Sequence, residues 1–371
     1  MKTNKITHCP SCGREIEPDQ LPFLMTPADV KKCIHSDQIC EDMEYVNSIS
    51  RYGGIHPDEP DKKQVVFMPD EADKYDFIQM KHGKFFYQSQ NYPMPILSRA
   101  CPNCHTNLTE LLRCDEVRSV ALIGDTHASK TCCVASCCAL VDKKPLDKPD
   151  TVTSAFAPGS FEEKYYSEMA AGLNSPTPHV VGATMPDAKK SKRQPLSFFR
   201  AAIGGKSVLL TLIDHPGEAF NRDMVTALSG SIIVLMVDGE RDLASQLRFL
   251  LHQARSFAEY ASRFVIAVTK CDLLSQNAVA SLMLTDYASQ DIFRSFSDLA
   301  AARRCIMNRH LERHSSPLYH FYKQIGNMGI PTELLFMAAL GTNTIAETNA
   351  LKGAYDPQYM YDFLLTLADR E

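Results

Sequence analysis

Residues 118–131, which read RSVALIGDTHASKT, constrain the fold of this chain more than any other stretch. Residues 120–123 form a short apolar run that is typical of a buried strand. Residues 124–131 match the phosphate-binding pattern G-x-x-x-x-G-K-[ST] except that Ser129 replaces the second glycine. Such a loop surrounds an anion with backbone N–H groups, and the following helix points its positive end at that anion. A serine-rich turn between a strand and a helix is the alternative interpretation.

The apolar runs after residue 120 indicate a sheet that is buried on both faces. Five runs are rich in Val, Ile and Leu with little alternation: 120–123, 208–213, 232–237, 264–268 and 334–339. A sixth run, 197–203, leads through a hairpin signal at 204–206 and predicts an antiparallel edge strand. One helix face is predicted from Leu243, Leu247, Leu251, Ala254, Ala258 and Ala261. The pattern predicts an α/β fold with a doubly wound, mostly parallel sheet of six strands.

Composition shifts suggest how the chain is divided. Residues 1–115 are predicted to form a separate module, and residues 116–371 are predicted to form the domain that contains the sheet. Within that domain, residues 140–196 are rich in Pro, Lys and Ser, which predicts a loop insertion. Residues 273–330 are longer than one connecting helix requires and predict a helical insertion.

Two C-x-x-C turns lie near the two ends of the N-terminal module. The first contains Cys9 and Cys12, and the second contains Cys101 and Cys104. Each turn can present two thiolates to one metal ion, so the pair predicts a closed tetrahedral Zn²⁺ site. The long stretch between the turns departs from a simple zinc ribbon and predicts a large insertion. Two unconnected turns with free thiols are the alternative.

Composition also bears on the compartment and on partners. The chain has 13 cysteines, no apolar signal region and no apolar run as long as a membrane span, which predicts a cytoplasmic protein. The net charge of -5 gives no general electrostatic case for nucleic-acid binding. The N-terminal module also lacks a basic stripe, so zinc-mediated nucleic-acid binding has little support.

Several motifs occur at the ends of predicted strands, where ligands bind in open α/β sheets. DHPG at 214–217 is a D-x-x-G motif, TKCD at 269–272 is an [NT]-K-x-D motif, and AALG at 338–341 follows the last run. In this order after the phosphate-binding pattern, they resemble the motifs of Ras-like P-loop GTPases over residues 118–371. The cysteine turns ahead of such a domain make the chain most similar to the bacterial double-GTPase group. Those GTPases are inferred to work as pairs in multi-component conflict systems.

The resemblance implies that GTP or GDP binds together with Mg²⁺. Thr131 and Asp214 would hold the metal, Lys130 would reach the β- and γ-phosphates, and Asp272 would accept hydrogen bonds from guanine. Thr177 is the first candidate for the switch threonine and Thr184 the second. The complete set of implied nucleotide contacts is Gly124, Asp125, Thr126, His127, Ala128, Ser129, Lys130, Thr131, Cys132, Thr177, Asp214, Gly217, Thr269, Lys270, Asp272, Ala339 and Leu340.

Two departures from the family pattern affect the expected activity. Ser129 stands where glycine usually permits a positive φ, and Glu218 stands where many members place the Gln that orients water. With Lys130, Thr131 and Glu218 as the catalytic set, we expect a GTP-hydrolysing switch with slow intrinsic turnover and a partner protein, such as a second GTPase. The alternative is a pseudo-GTPase scaffold that binds nucleotide and recruits partners through its zinc module.

Overall fold

The structure is a computed structural model, and it describes most of the chain. The described residues are 8–12, 14–49, 63–125, 128–143, 146, 150–156, 160–180, 197–214, 230–271, 295–313, 316–342, 344, 350–357 and 359–369.

The described residues contain both strands and helices. In chain order, the strands are β1 (Phe23–Met25), β2 (Val65–Phe67), β3 (Ile78–Lys81), β4 (Lys84–Gln88), β5 (Pro93–Pro95), β6 (Ser98–Arg99), β7 (Glu116–Ile123), β8 (Thr151–Ser154), β9 (Ser197–Ile203), β10 (Lys206–Asp214), β11 (Ser231–Asp238), β12 (Ala261–Thr269) and β13 (Thr332–Phe336). The α-helices are α1 (Pro27–Lys32), α2 (Met43–Ile49), α3 (Thr109–Arg113), α4 (Lys130–Lys143), α5 (Phe161–Leu173), α6 (Leu243–Phe257), α7 (Phe296–Arg313), α8 (Pro317–Gly326) and α9 (Met360–Ala368). Short 3₁₀ helices span Pro18–Gln20 and Pro69–Lys74.

The central sheet has the strand order β13-β12-β11-β7-β10-β9-β8. The first five strands in this order are parallel to one another, and β9 pairs antiparallel with both β10 and β8. Helices cover both faces, which confirms the predicted α/β class with a mostly parallel sheet. The hairpin from β9 to β10 is also as predicted.

Within the described residues the sheet already has seven strands, so the predicted count of six is wrong. The additional strand is β8, and because it pairs outside β9, the prediction of β9 as an edge strand is wrong as well. The sequence of β8 is TVTS, in which only Val152 is buried. A four-residue edge strand with one buried side chain carries no apolar run by which it could be recognised.

The stretch predicted as a loop insertion, 140–196, also contains helix α5. The helix starts after Ser160, whose side chain accepts a hydrogen bond from the N–H of Glu163 at 3.1 Å. Its buried side chains recur at helical spacing and pack on α4: Tyr165, Tyr166, Met169, Ala170 and Leu173. The segments on both sides of α5 are rich in Pro and Lys, so the composition of the whole stretch did not indicate a helix.

Two buried clusters occupy the two faces of the sheet. On one face, α4, α5 and α9 supply the side chains. On the other face, α6 and α8 share a cluster with Leu108, Leu111 and three of the N-terminal cysteines. The cysteine turns therefore pack against the same core as the strands of the sheet.

The chain between the two cysteine turns builds its own small core. It forms two antiparallel sheets of three strands, β2-β1-β6 and β3-β4-β5. Aromatic side chains dominate this core, with Phe67 and Phe85 packed edge to face at 5.3 Å. Within the insertion, Cys33 is buried and Cys40 is exposed. No helix in the described ranges combines the length and the apolar character needed to cross a bilayer.

Glu162, in the first turn of α5, is buried where that helix meets the N-terminal module. Its side chain lines a cavity of about 30 Å³ that Thr26, Gln64 and Thr106 also line. Such a volume has room for a water molecule but not for a counterion with its own shell. Burial raises the pKa of Glu162 to about 7.

We expect Glu162→Gln to stabilise the protein in a pH-dependent manner. The carboxyl group titrates near 4.5 in the unfolded chain and near 7 in the folded chain, so its contribution to stability falls as pH rises through this window. At pH 8 the substitution should raise the free energy of unfolding by up to about 3 kcal/mol, and the gain should shrink toward pH 5. Urea unfolding at several pH values measures the difference. Glu168→Gln, on the exposed face of the same helix, is the control and should have little effect. A gain that does not change with pH would contradict the assignment.

Candidate functional site

The strands that lead into the predicted motifs end at one edge of the sheet. Because β7, β10, β11 and β12 are parallel, their carboxyl ends meet at the same edge. Asp214 pairs with Leu122 in register, and Asp238 pairs with Thr269. The carboxyl-terminal residues of these strands are therefore brought together by strand order alone.

The side chain of Lys130 folds back onto the 124–131 loop and binds its backbone. Its Nζ donates to the carbonyl oxygens of Gly124 at 2.8 Å and Asp125 at 2.9 Å, and the residue is only 9% exposed. Lys130 is also the first residue of α4, whose N-terminal end carries partial positive charge. A buried cation beside a helix N-terminus creates a strongly positive position, which an anion such as phosphate would stabilise.

The backbone of this loop is strained at the position where the pattern usually has glycine. Ser129 has a φ of 62°, and its carbonyl accepts from the N–H of Cys133 at 2.8 Å to start the helix. The positive φ predicted from the pattern is thus present, and a serine adopts it. Such a conformation costs a non-glycine residue on the order of 1 kcal/mol or more. Cys132 is half-buried and packs against the core beneath α4.

Gly124 allows the loop to pass close to the neighbouring strand. A Cβ at this position would lie 2.9 Å from the Cβ of Ala128 and 3.0 Å from the carbonyl oxygen of Met236 in β11. Any side chain here would push the loop off the sheet.

Five charged side chains form a network that connects the 124–131 loop with the 269–272 segment. Lys270 Nζ lies 2.9 Å from Asp238 Oδ2 and 3.1 Å from Glu240 Oε2. Arg241 lies between the two segments, with Nε 3.7 Å from Asp238 Oδ2 and a guanidinium N–H donating to Asp125 Oδ2 at 3.4 Å. Sequence analysis missed Asp238, Glu240 and Arg241. The signal available in the sequence was Asp238 in VDGE, an acidic residue that directly follows a buried apolar run.

The other predicted contacts lie on the same rim of the sheet. The hydroxyl of Thr269 donates to the carbonyl of Val237 at 3.2 Å and thus joins β12 to β11. Ala339 is buried, and the carbonyl of Leu340 accepts from the N–H of Asp356 at 3.2 Å. Gly341 follows with a φ of 71°, and a Cβ there would overlap the backbone of Asp356. Glycine is therefore required at the end of this loop.

Part of the predicted site falls outside the described residues. These positions are Thr126, His127, Thr184, Gly217, Glu218 and Asp272, together with the side chain of Asp214. Thr177 is described and exposed, in a turn after α5. The two residues after it, Pro178 and His179, pair with Leu351 and Ala350.

The four predicted cysteines form one compact cluster. Their Sγ atoms all lie within 4.8 Å of one another, with Cys9 and Cys104 3.7 Å apart and Cys12 and Cys101 3.8 Å apart. Sulfur atoms about 2.3 Å from a tetrahedral zinc ion are about 3.8 Å from each other. The cluster therefore has the dimensions of a closed Cys₄ zinc site. The large insertion begins after the first cysteine turn and ends before the second.

Hydrogen bonds among the four cysteines shift their pKa values in opposite directions. Hydrogen bonding from Cys101 lowers the pKa of Cys104 to about 7, whereas hydrogen bonding with Cys101 raises the pKa of Cys9. Four close thiols cannot all ionise without a cation, and a divalent metal removes that conflict.

The insertion supports the second cysteine turn directly. His105 follows Cys104 with a φ of 54°, and its Nδ1 lies 2.8 Å from Asp42 Oδ2. Gln64 donates both to Asp42 Oδ2 at 2.8 Å and to the carbonyl of His105 at 3.1 Å. Burial opposes the charge on His105, but the bond to Asp42 outweighs it and raises the pKa of His105.

The fold and the candidate site define an α/β protein with a loop that holds a buried lysine at the carboxyl edge of its sheet, joined to a cysteine-rich module. The sequence pattern of the family described as Double-GTPase 2 matches residues 118–310, just over half of the chain. The chain belongs to this family, which confirms the resemblance inferred from the motifs. Membership indicates a GTPase-type function with a guanine nucleotide as ligand. No curated protein matches the chain.

We expect purified protein to contain one zinc ion per chain. The ion should be lost in Cys101→Ser, because a three-thiolate set leaves the tetrahedral site open. Elemental analysis after dialysis gives the metal content. Cys40→Ser, which changes an exposed cysteine in the same module, is the matched control and should keep the ion. Equal zinc content in the two variants would show that the cluster is not the metal site.

Proposed function

We propose that this chain is a GTP-binding and GTP-hydrolysing switch whose nucleotide lies along the carboxyl edge of the sheet. The observation that carries the proposal is the buried ammonium of Lys130 inside the 124–131 loop, at the N-terminus of α4. Membership of a GTPase family supplies the expected ligand.

The phosphates would bind at the 124–131 loop. Backbone N–H groups of the loop and of the first turn of α4 would donate to the β-phosphate, and Lys130 would move from its carbonyl partners toward the β- and γ-phosphates. The Thr131 hydroxyl and the Asp214 carboxylate are hard oxygen ligands on neighbouring elements, which suits Mg²⁺. Bound Mg²⁺ would neutralise charge on the phosphates.

The base would bind at the 269–272 segment. Asp272 would accept from the N1–H and N2–H₂ groups of guanine, and the stem of Lys270 would lie along the ring. Adenine lacks these donors, so the carboxylate would be left unpaired against ATP. The backbone of Ala339 and Leu340 would face the guanine O6.

Hydrolysis should be slow in the isolated protein. Glu218 can accept a hydrogen bond from the attacking water but, when ionised, cannot donate one to the γ-phosphate oxygens as Gln would. We infer that a partner, for which a second GTPase is the leading candidate, completes the catalytic set. Residues 1–115 would act as a zinc-stabilised module and residues 116–371 as the GTPase domain. None of the 13 cysteines forms a disulfide in the structure, which fits a reducing cytoplasm.

A nucleotide-binding scaffold without hydrolysis is the second candidate. The strained Ser129 and the Glu at position 218 favour it, because both depart from positions that serve catalysis in the family pattern. In this case the zinc module would recruit the partner.

We expect single-turnover GTP hydrolysis by the isolated protein at about 10⁻³ per second or slower. A partner that contributes an arginine should accelerate it by about 10³ to 10⁵. Lys130→Ala should abolish hydrolysis, whereas Lys143→Ala, at the far end of the same helix, should not change it. Turnover alone near 1 per second would contradict the need for a partner. Complete absence of hydrolysis despite GTP binding would favour the scaffold, and activity in Lys130→Ala would place the chemistry elsewhere.

A further inference from the structure

Strand β11 ends in a buried carboxylate that is fixed by its surroundings. The side chain of Asp238 is 1% exposed. Its backbone N–H donates to Gln246 Oε1 at 2.8 Å, and Gln246 Nε2 donates back to its carbonyl at 3.0 Å. The N–H of Glu240 donates to Asp238 Oδ1 at 3.0 Å. One carboxylate oxygen is therefore held by the loop, and the other, Oδ2, faces cations.

The cation nearest to that oxygen is Lys270, in the segment proposed to bind the base. Lys270 has a φ of 54°, a conformation that an L-residue adopts at a cost. Burial lowers its pKa, but the hydrogen bonds to Asp238 and Glu240 outweigh burial and raise it. The ammonium is thus kept charged and anchored by the two carboxylates.

The same carboxylate reaches the phosphate side of the site through Arg241. Arg241 approaches Asp238 and also binds Asp125 of the 124–131 loop. A chain of alternating charges, Asp125–Arg241–Asp238–Lys270, therefore spans from the loop to the 269–272 segment. A nucleotide that occupies both ends would need them at a fixed separation.

We propose that Asp238 is a positioning residue for the nucleotide: it anchors Lys270 so that the lysine stem lies along the base, and it ties this segment to the 124–131 loop through Arg241. The inference rests on the proposed guanine-nucleotide function. Because the Asp238–Lys270 pair preorganises the site, its loss should mainly raise the dissociation rate of bound nucleotide.

The dissociation rate of N-methylanthraniloyl-GDP in Mg²⁺, measured by stopped-flow fluorescence on the full chain, tests this role. Asp238→Asn should raise the rate about tenfold, as expected when one partner of a buried charge pair is removed. Glu240→Gln, which changes the exposed partner of the same ammonium, should raise it by less than about threefold. Glu259→Gln is an exposed carboxylate-to-amide control outside the site and should leave the rate unchanged.

A double-mutant comparison separates a positioning role of Asp238 from a general loss of structure in the variant. In a Lys270→Met background, Asp238→Asn should change the rate by less than about threefold, because the lysine that it anchors is already gone and only its longer contact with Arg241 is left to lose. If Asp238→Asn raised the dissociation rate by the same factor in the wild-type and Lys270→Met backgrounds, the inference would be overturned, while the proposed function would stand. Failure of the wild-type protein to bind the labelled GDP would instead overturn the proposed function.

A second comparison keeps the test informative if Asp238→Asn does not fold. Lys270→Arg retains a cation that Asp238 can bind, so it should release labelled GDP several-fold more slowly than Lys270→Met. Equal rates for the two lysine variants would show that the charge at position 270 is not what Asp238 holds, and would overturn the inference.

Discussion

The ammonium of Lys130 determines the shape of the loop on which the proposed site depends. It is buried, it donates to two loop carbonyls, and it stands at the start of α4. A buried cation without partners would be strongly destabilising, so the loop must fold around it. The same contacts hold the loop against the N-terminal end of α4, where an anion would be stabilised. The strain at Ser129 and the close approach at Gly124 are consequences of this tight closure.

The cysteine cluster forms part of the same core as the sheet. Cys9, Cys101 and Cys104 share a buried cluster with Leu209 and Ile213 of β10. Helix α5, which lies between α4 and β9 in the sequence, meets the module at the cavity lined by Glu162. A metal that orders the cysteine turns therefore also orders one face of the sheet, because the apolar side chains beneath the turns cannot pack without them. The aromatic core of the insertion is separate and adds its own stability.

Much of this architecture could be predicted from local patterns. Strands that are buried on both faces leave Val- and Ile-rich runs, and β7, β10, β11 and β12 were found in this way. The cysteine cluster was found because a C-x-x-C turn is itself a local ligand geometry. In contrast, β8 has a single buried side chain and leaves no such pattern. The pairing of Asp238 with Lys270 depends on β11 and β12 being adjacent in register, which is a property of the sheet and not of either segment.

Titration of the wild-type protein with labelled GTP, GDP and ATP, with and without Mg²⁺, tests the central claim most directly. The account predicts that GTP and GDP bind, that Mg²⁺ strengthens the binding, and that ATP binds at least about 100-fold more weakly, because a carboxylate that loses its hydrogen-bond donors costs about 3 kcal/mol. Equal affinities for ATP and GTP, or no binding of either, would contradict it.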